Sequence, residues 1–436
     1  MIRVLNRPSQ SALKRILGLR RVYSGAEEAL VREIIRQVEK RGDRALFAYT
    51  RRFDGAALGR KNLRIGRAEL VSRARLCDPG LKKSIRLAIR NIRRYHEKQK
   101  AVDFAFSPEK GVRLGQRCLP VGNVAIYVPG GHHPLFSSAL MTVVPAQVAG
   151  VPRLAVCTPP RRQGLDPALA YCLLSLDVRE IYRMGGAQAV AALALGTESV
   201  DAVDKIVGPG NLFVSLAKKL LFGIVDIDMI AGPSEICVIA EKGAPPSFIA
   251  TDLLSQSEHG SGLESSMLLT TDRRLAENVR REVSALLADE PAGSPVRRAL
   301  SRHGFIAVMK SLDQCAETAN FIAPEHLEIM TRSPRRLLSK IRNAGAVFLG
   351  KYSCESLGDY FAGPSHVLPT HGSARFFSPL SVYDFMKRTS VIEYGPAAAT
   401  KAASHVARMA QAEGLPFHAQ AALSRSGRGT HPPSGV

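Results

Sequence analysis

Four stretches of this chain bring together groups that could hold a metal ion or move a proton. Leu253-Leu254-Ser255-Gln256-Ser257-Glu258-His259-Gly260 sets Gln256 and His259 three residues apart, on one face if the segment is helical. Phe321-Ile322-Ala323-Pro324-Glu325-His326-Leu327 puts an adjacent carboxylate and imidazole after a proline, a pair able to act as base and acid. Tyr352-Ser353-Cys354-Glu355-Ser356-Leu357-Gly358-Asp359-Tyr360 reads as a loop with Asp359 beside a glycine. Glu413-Gly414-Leu415-Pro416-Phe417-His418 separates a carboxylate and an imidazole by five positions. On an unbroken helix these two would diverge by about 140°, but Gly414 and Pro416 interrupt it and allow both to reach one site. His, Asp, His and an amide oxygen make a nitrogen and oxygen set that suits Zn²⁺ or a similar divalent cation. No H-E-x-x-H or other local metal spacing occurs. Singly, each stretch is more often a surface pair or a turn, so the residues alone reach only a candidate metal site.

Three glycine-rich turns form a second group: Pro129-Gly130-Gly131, Gly185-Gly186-Ala187-Gln188 and Gly208-Pro209-Gly210-Asn211. The last two precede predicted helices, whose N-terminal amides can hold a phosphate. None is G-x-G-x-x-G, so the usual dinucleotide fingerprint is missing. Their recurrence in successive strand–helix connections balances a nucleotide-sized ligand evenly against plain punctuation.

The elements that must position these groups follow from periodicity. Val124–Val128 is a short apolar run closed by a turn. Helix about 138–149, strand 154–157, helix 166–175, strand 180–184, helix 187–195, strand 203–207 and helix 211–221 follow. That alternation predicts a parallel sheet covered on both faces, with ligands bound in loops at strand ends. A second series, at 234–239, 266–270, 305–309 and 346–349, predicts a second α/β unit completed by N-terminal helices. One such helix runs from Ser24 to about Gly42, with Glu27 and Glu28 in its first turn; another covers about 80–100. After Ser381 the chain reads as mainly helical to about Arg425. The expected division is a basic arm (1–24), a discontinuous α/β domain (25–126 with 235–380), a second α/β domain (127–234), a helical segment (381–426) and a disordered Gly/Pro/Ser-rich tail (427–436).

Bulk properties restrict the class. The chain has 436 residues and a net charge of +22. No apolar run approaches the ~18 residues of a membrane span, and the start lacks the apolar stretch of a signal peptide. Seven scattered cysteines without a C-x-x-C pair point to reduced thiols and a cytoplasmic protein. Residues 1–100 hold 27 Lys and Arg against 9 Asp and Glu. Much of that charge lies on Lys82–Arg94, where Ile85, Ile89 and Ile92 alternate with cations, as on a helix with a solvated basic face. Nucleic-acid binding is the alternative of another class; few aromatics are interleaved and no RRM, KH or zinc-finger pattern supports it.

The same stretches, taken in order, resemble the histidinol dehydrogenases over most of the chain. Arg41–Leu46, Arg52-Phe53-Asp54-Gly55, Tyr95–Gln99, Tyr127–Gly131, Gly185–Gly196, Gly208–Asn211, Ala231–Glu235, Leu254–His259, Ala323–Leu327, His366–Thr370, Leu380–Lys387 and Glu413–His418 carry the resemblance. It implies two Rossmann-like parallel-sheet domains with small terminal segments, in an intertwined homodimer. It implies that Tyr127, Gln188 and Asn211 contact NAD, and that Gln256, His259, Asp359 and, across the dimer, His418 bind zinc. Ser234, Gln256, His259, His326, Asp359, Glu413 and His418 would contact L-histidinol, with Glu325 and His326 as the acid–base pair. The implied reaction is a four-electron oxidation through the aldehyde to L-histidine, ending histidine biosynthesis. His326 would take the hydroxyl proton, and Glu325 would activate water against the aldehyde. Four positions depart from the pattern: His132 and His133, read as a variable loop, Ser365 in place of a common asparagine, and Cys354 in place of a frequent proline. Two rival readings remain among enzymes. One is a related dehydrogenase of another small polar alcohol such as a sulfonated diol, the other a zinc hydrolase with Glu325 as base.

Overall fold

A computed structural model describes residues 2–18, 25–130 and 135–426. Ser24 as a helix start, His132-His133 and the 427–436 tail lie outside the described residues. The chain divides into two compact units, Met1–Gln99 with Val121–Phe385 and Lys100–Pro120 with Met386–Val436.

The larger unit contains two all-parallel sheets, each a run of strands that is apolar on both faces and covered by helices. The first has five strands in the order Glu180–Arg183, Arg153–Thr158, Asn123–Tyr127, Lys205–Val207, Asp226–Ile227. The chain winds outward from Asn123–Tyr127 and then returns to its other side. A crevice is therefore expected beyond the carboxyl ends of Asn123–Tyr127 and Lys205–Val207.

The N-terminal helices Gly25–Arg41 and Asp43–Asp54 pack on this sheet, not on the unit built from 235–380 as expected. Helix Gly186–Leu195 explains the difference. It is buried from Ala187 to Ala194 on every side, and such a helix needs apolar cover beyond the sheet. Val31, Ile34, Val38, Ala45 and Leu46 supply it.

The second sheet has six strands, in the order Arg3–Asn6, Phe305–Val308, Ser265–Thr270, Glu235–Ala240, His326–Met330, Ala346–Leu349. Part of the segment expected to be an arm is thus an edge strand, with Arg3 opposite Phe305 and Asn6 opposite Val308. Ile2 joins the core beneath it. One face carries helices Pro246–Ser257 and Arg273–Leu286, the other Leu312–Ile322. Helix Pro79–His96 is capped by Asp78, whose carboxylate accepts from the Leu81 amide at 2.7 Å. It buries Ile85, Ala88 and Ile92; Lys83, Arg86, Arg90 and Arg94 are exposed, the solvated basic face anticipated from the sequence.

The smaller unit pairs three antiparallel strands, Phe104–Phe106, Val112–Pro120 and Met386–Tyr394, with helices Pro396–Ala412 and Pro416–Leu423. The strand at 386–394 corrects the helical expectation there. Thr389, Val391, Ile392 and Tyr394 favour a strand, but eight of its nine residues are exposed, so no alternation of burial marks it. Among the described residues no helix is long and apolar enough to cross a membrane.

Candidate active site

Helix Leu312–Ile322 ends at Ala323, which adopts the left-handed conformation (φ 50°), and Pro324 prevents its continuation. The chain then enters strand His326–Met330 between Glu235–Ala240 and Ala346–Leu349. Strand periodicity sends Leu327 and Ile329 into one apolar core and leaves His326 and Glu328 on the opposite face. Glu325, at the strand's start, is buried, and its Oε2 accepts from the Glu235 amide at 2.8 Å. His326 Nδ1 lies 3.1 Å from the Glu235 carbonyl and 3.7 Å from Glu325 Oε2, while Nε2 faces Asp359 Oδ1 at 3.5 Å. Ser234 precedes strand Glu235–Ala240 at the same end of the sheet.

The metal candidates converge on this face. Helix Pro246–Ser257 carries the buried Gln256 near its end, and His259 follows two residues beyond. Residues 352–360, read as a loop from sequence, contain the short helix Glu355–Tyr360. This places Glu355 and Asp359 one turn apart on one side. Ligand atoms of His259, Glu355 and Asp359 all lie within 4.8 Å of one another. The Gln256 amide satisfies both ends when its nitrogen donates to Glu355 Oε1 and Oε2, at 2.9 and 3.1 Å, and its oxygen faces His259 Nε2 at 3.2 Å. Glu355 thereby orients the amide oxygen toward the imidazole. Its own backbone amide donates to Glu328 Oε1 at 2.8 Å, which fixes the start of the short helix.

The donor set fits a divalent cation better than it fits no ion at all. Burial pushes the Glu325 carboxyl up to about 8 and raises those of Glu355 and Glu328, the last also through Asp252. Burial also pushes His326 down, but Glu355, Glu325 and Asp359 outweigh it and hold the imidazole well above its ordinary value. Asp359, raised by burial, is lowered overall by its bond to His326 and by the nearby imidazoles. Crowded buried carboxylates of this kind are relieved by a bound cation.

All these groups sit at the amino ends of the six-stranded sheet, opposite to the carboxyl-end location usual in such folds. Of these groups His326 and Asp359 border a cavity of about 720 Å³, whose lining also includes His366, Leu380 and Tyr383. His366, quoted above only as part of a motif, lies with Nδ1 2.9 Å from the Asp359 carbonyl and supports the short helix. Ser365 is satisfied locally, donating to the Met141 carbonyl at 3.1 Å, and Cys354 stands at the cap of the short helix. Glu355 went unnoticed in the sequence, although its spacing of four from Asp359 is the signal that a helix there would have made visible.

The five-stranded sheet behaves as expected and opens a cavity of about 460 Å³ at its carboxyl ends. Tyr127, Gln188 and Asn211 all line it. The Tyr127 hydroxyl accepts from the Gly186 amide at 3.1 Å, and Asn211 Oδ1 caps helix Leu212–Leu221 through the Phe213 and Val214 amides, each at 3.1 Å. Gly208 passes so close to Tyr127 that an added Cβ would meet its carbonyl at 2.2 Å, and its φ of +114° suits glycine alone. Both backbone polar atoms of Gly208 are held: the amide donates to Asp228 Oδ2 at 2.8 Å and the carbonyl accepts from Lys218 Nζ at 3.0 Å. Lys218 and Asp228 themselves form a buried ion pair. Apolar walls with the amide side chains of Gln188 and Asn211 at helix starts fit a dinucleotide.

Glu413 and His418 belong to the smaller unit. Glu413 caps helix Pro396–Ala412, Gly414 turns with φ +73°, and His418 lies in helix Pro416–Leu423; both side chains are exposed.

A family model described as histidinol dehydrogenase matches residues 20–426. The chain is 48% identical to a histidinol dehydrogenase of Halalkalibacterium halodurans, covering 91% of this chain and 93% of that protein. It is 49% identical to one of Moorella thermoacetica, covering 90% and 93%. The crystal structure of histidinol dehydrogenase from Elizabethkingia anophelis superposes with a TM-score of 0.90 at 36% identity, covering 97% of this chain and 98% of that one. Sequence and fold agree, and the chain belongs to the histidinol dehydrogenase family.

Proposed function

We propose that this protein oxidises L-histidinol to L-histidine in two NAD-dependent steps, with zinc at the site of Gln256, His259 and Asp359. The observation that carries the reading is the convergence of Glu325, His326, Gln256, His259 and Asp359 at the amino end of the six-stranded sheet of a histidinol dehydrogenase fold. Zinc bound there would hold the substrate's nitrogens and offset the carboxylates that raise His326, and NAD bound at Tyr127, Gln188 and Asn211 would accept hydride at each oxidation.

The residues then divide the proton work. His326, buried between Glu325 and Asp359, takes the hydroxyl proton in the first oxidation. Glu325, fixed by the Glu235 amide, takes a proton from the water that attacks the aldehyde. Gln256, His259 and Asp359 orient the substrate, and Ser234 lines its approach. The buried setting retains the aldehyde between steps. Carboxylates crowding the site favour an amine-bearing alcohol and oppose a sulfonated one. His418 of the partner subunit completes the zinc ligands and Glu413 of the partner subunit the substrate contacts, in a homodimer; their exposure within one chain supports this reading.

Turnover assays separate the rivals. L-histidinol is expected to be oxidised far faster than a sulfonated propanediol, and only with NAD present. Preference for the sulfonate, or hydrolysis without NAD, would replace the reading.

A further inference from the structure

The cavity at Tyr127 contains one charged lining residue, Asp54, the last residue of helix Asp43–Asp54. Its carboxylate is half-buried, and among the described residues no cation pairs with it; the nearest polar group is Gln188 Nε2, 3.4 Å from Oδ2. Burial pushes its pKa up to about 6, so it remains largely ionised at neutral pH. A half-buried carboxylate at a largely apolar cavity is costly unless more than one long hydrogen bond reaches it. Hydroxyl groups of a ligand are suited to that, because hydrogen bonds to an ionised acceptor are the strong ones.

In doubly wound dinucleotide folds, an acidic residue beyond the second strand takes the ribose 2′-hydroxyl. Here the second strand, Arg153–Thr158, runs into Pro159-Pro160, which line this cavity and carry no acid. The carboxylate arrives instead from an N-terminal helix packed on the same sheet. Resting on the NAD reading of this cavity, we propose that Asp54 accepts a hydrogen bond from a ribose hydroxyl of the bound dinucleotide and excludes a 2′-phosphate, so that it sets the selectivity for NAD over NADP. A 2′-phosphate would bring about two negative charges against an acceptor-only group.

The test compares kcat/KM for NAD, NADP and nicotinamide hypoxanthine dinucleotide, which lacks the adenine amino group, in the wild type and in Asp54→Asn. The variant is expected to lose about tenfold or more with NAD, mostly through KM. NADP should be spared or improved, so that the NAD/NADP ratio falls by at least that factor, and the hypoxanthine analogue should fall in step with NAD. An equal loss with NAD and NADP would reduce Asp54 to a structural role, and an analogue insensitive to the substitution would assign it to the adenine. Either result overturns the proposal. Asp54→Glu, which keeps the charge, is expected to retain discrimination against NADP. Calorimetric titration of wild-type protein with NAD separates the two levels: no binding overturns the cofactor reading and this inference together, whereas binding with unchanged selectivity in Asp54→Asn overturns this inference alone.

Discussion

Glu325 combines a fixed position with a shifted pKa, and the two together set how the reaction should respond to pH. Its Oε2 is held by the Glu235 amide, and burial moves the carboxyl up to about 8. A carboxylate serves as base only when ionised, so the aldehyde-to-acid step should be lost as pH falls through the raised pKa of this buried carboxyl, and the bound cation should move that loss to lower pH. In Glu325→Gln that step is expected to drop by 100-fold or more and to lose this dependence, while alcohol oxidation falls less; stopped-flow measurement from aldehyde and from alcohol separates them. Equal losses would contradict the role. Glu355 should act through Gln256, whose amide nitrogen it holds. Glu355→Gln is expected to weaken zinc binding by about 10–100-fold in chelator competition; unchanged affinity would contradict the orienting role. Gln256, His259, Glu325 and His326 were legible because adjacent or three-apart polar residues interrupt apolar segments. Glu355 and His366 were not, since their contribution depends on a short helix folding back along the sheet.

At the scale of elements, the parallel strands expected from apolar runs alternating with helical periods are observed within a few residues, whereas Arg3–Asn6, His326–Met330 and Met386–Tyr394 were not expected as strands. What periodicity cannot show is which face of an all-apolar helix the N-terminal helices will cover, nor which end of a sheet carries chemistry. The cavity at Tyr127 lies at carboxyl strand ends, whereas His326 and Glu325 lie at amino ends. Neither could the sequence reveal the clamp on Gly208, because Lys218 and Asp228 meet only through tertiary packing. Lys218→Met would leave Asp228 buried without its cation and is expected to destabilise the protein by about 3–5 kcal/mol in urea unfolding. Adding Asp228→Asn, which keeps an acceptor for the Gly208 amide, should recover part of that loss. If the double variant is no better than the single, the buried pair is not what holds the turn.

At the scale of the molecule, the smaller unit exposes Val406, Met409, Leu415 and Phe417 around the segment that carries Glu413 and His418. Under the dimer proposal this surface is covered by a second copy. Co-expression of His418→Ala with Glu325→Gln is then expected to restore activity that neither variant has alone, because each mixed dimer regains one intact site. Mixed dimers as inactive as the parents would place the whole site within one chain. Part of the strong positive charge lies on helix Pro79–His96, where Lys83, Arg86, Arg90 and Arg94 face solvent. The central claim is the coupling of two oxidations at one site, and it is tested most directly by counting. With zinc-loaded protein, L-histidinol and NAD, two NADH should form for each L-histidine, with no aldehyde accumulating. One NADH per substrate with aldehyde released, or no turnover, would contradict it.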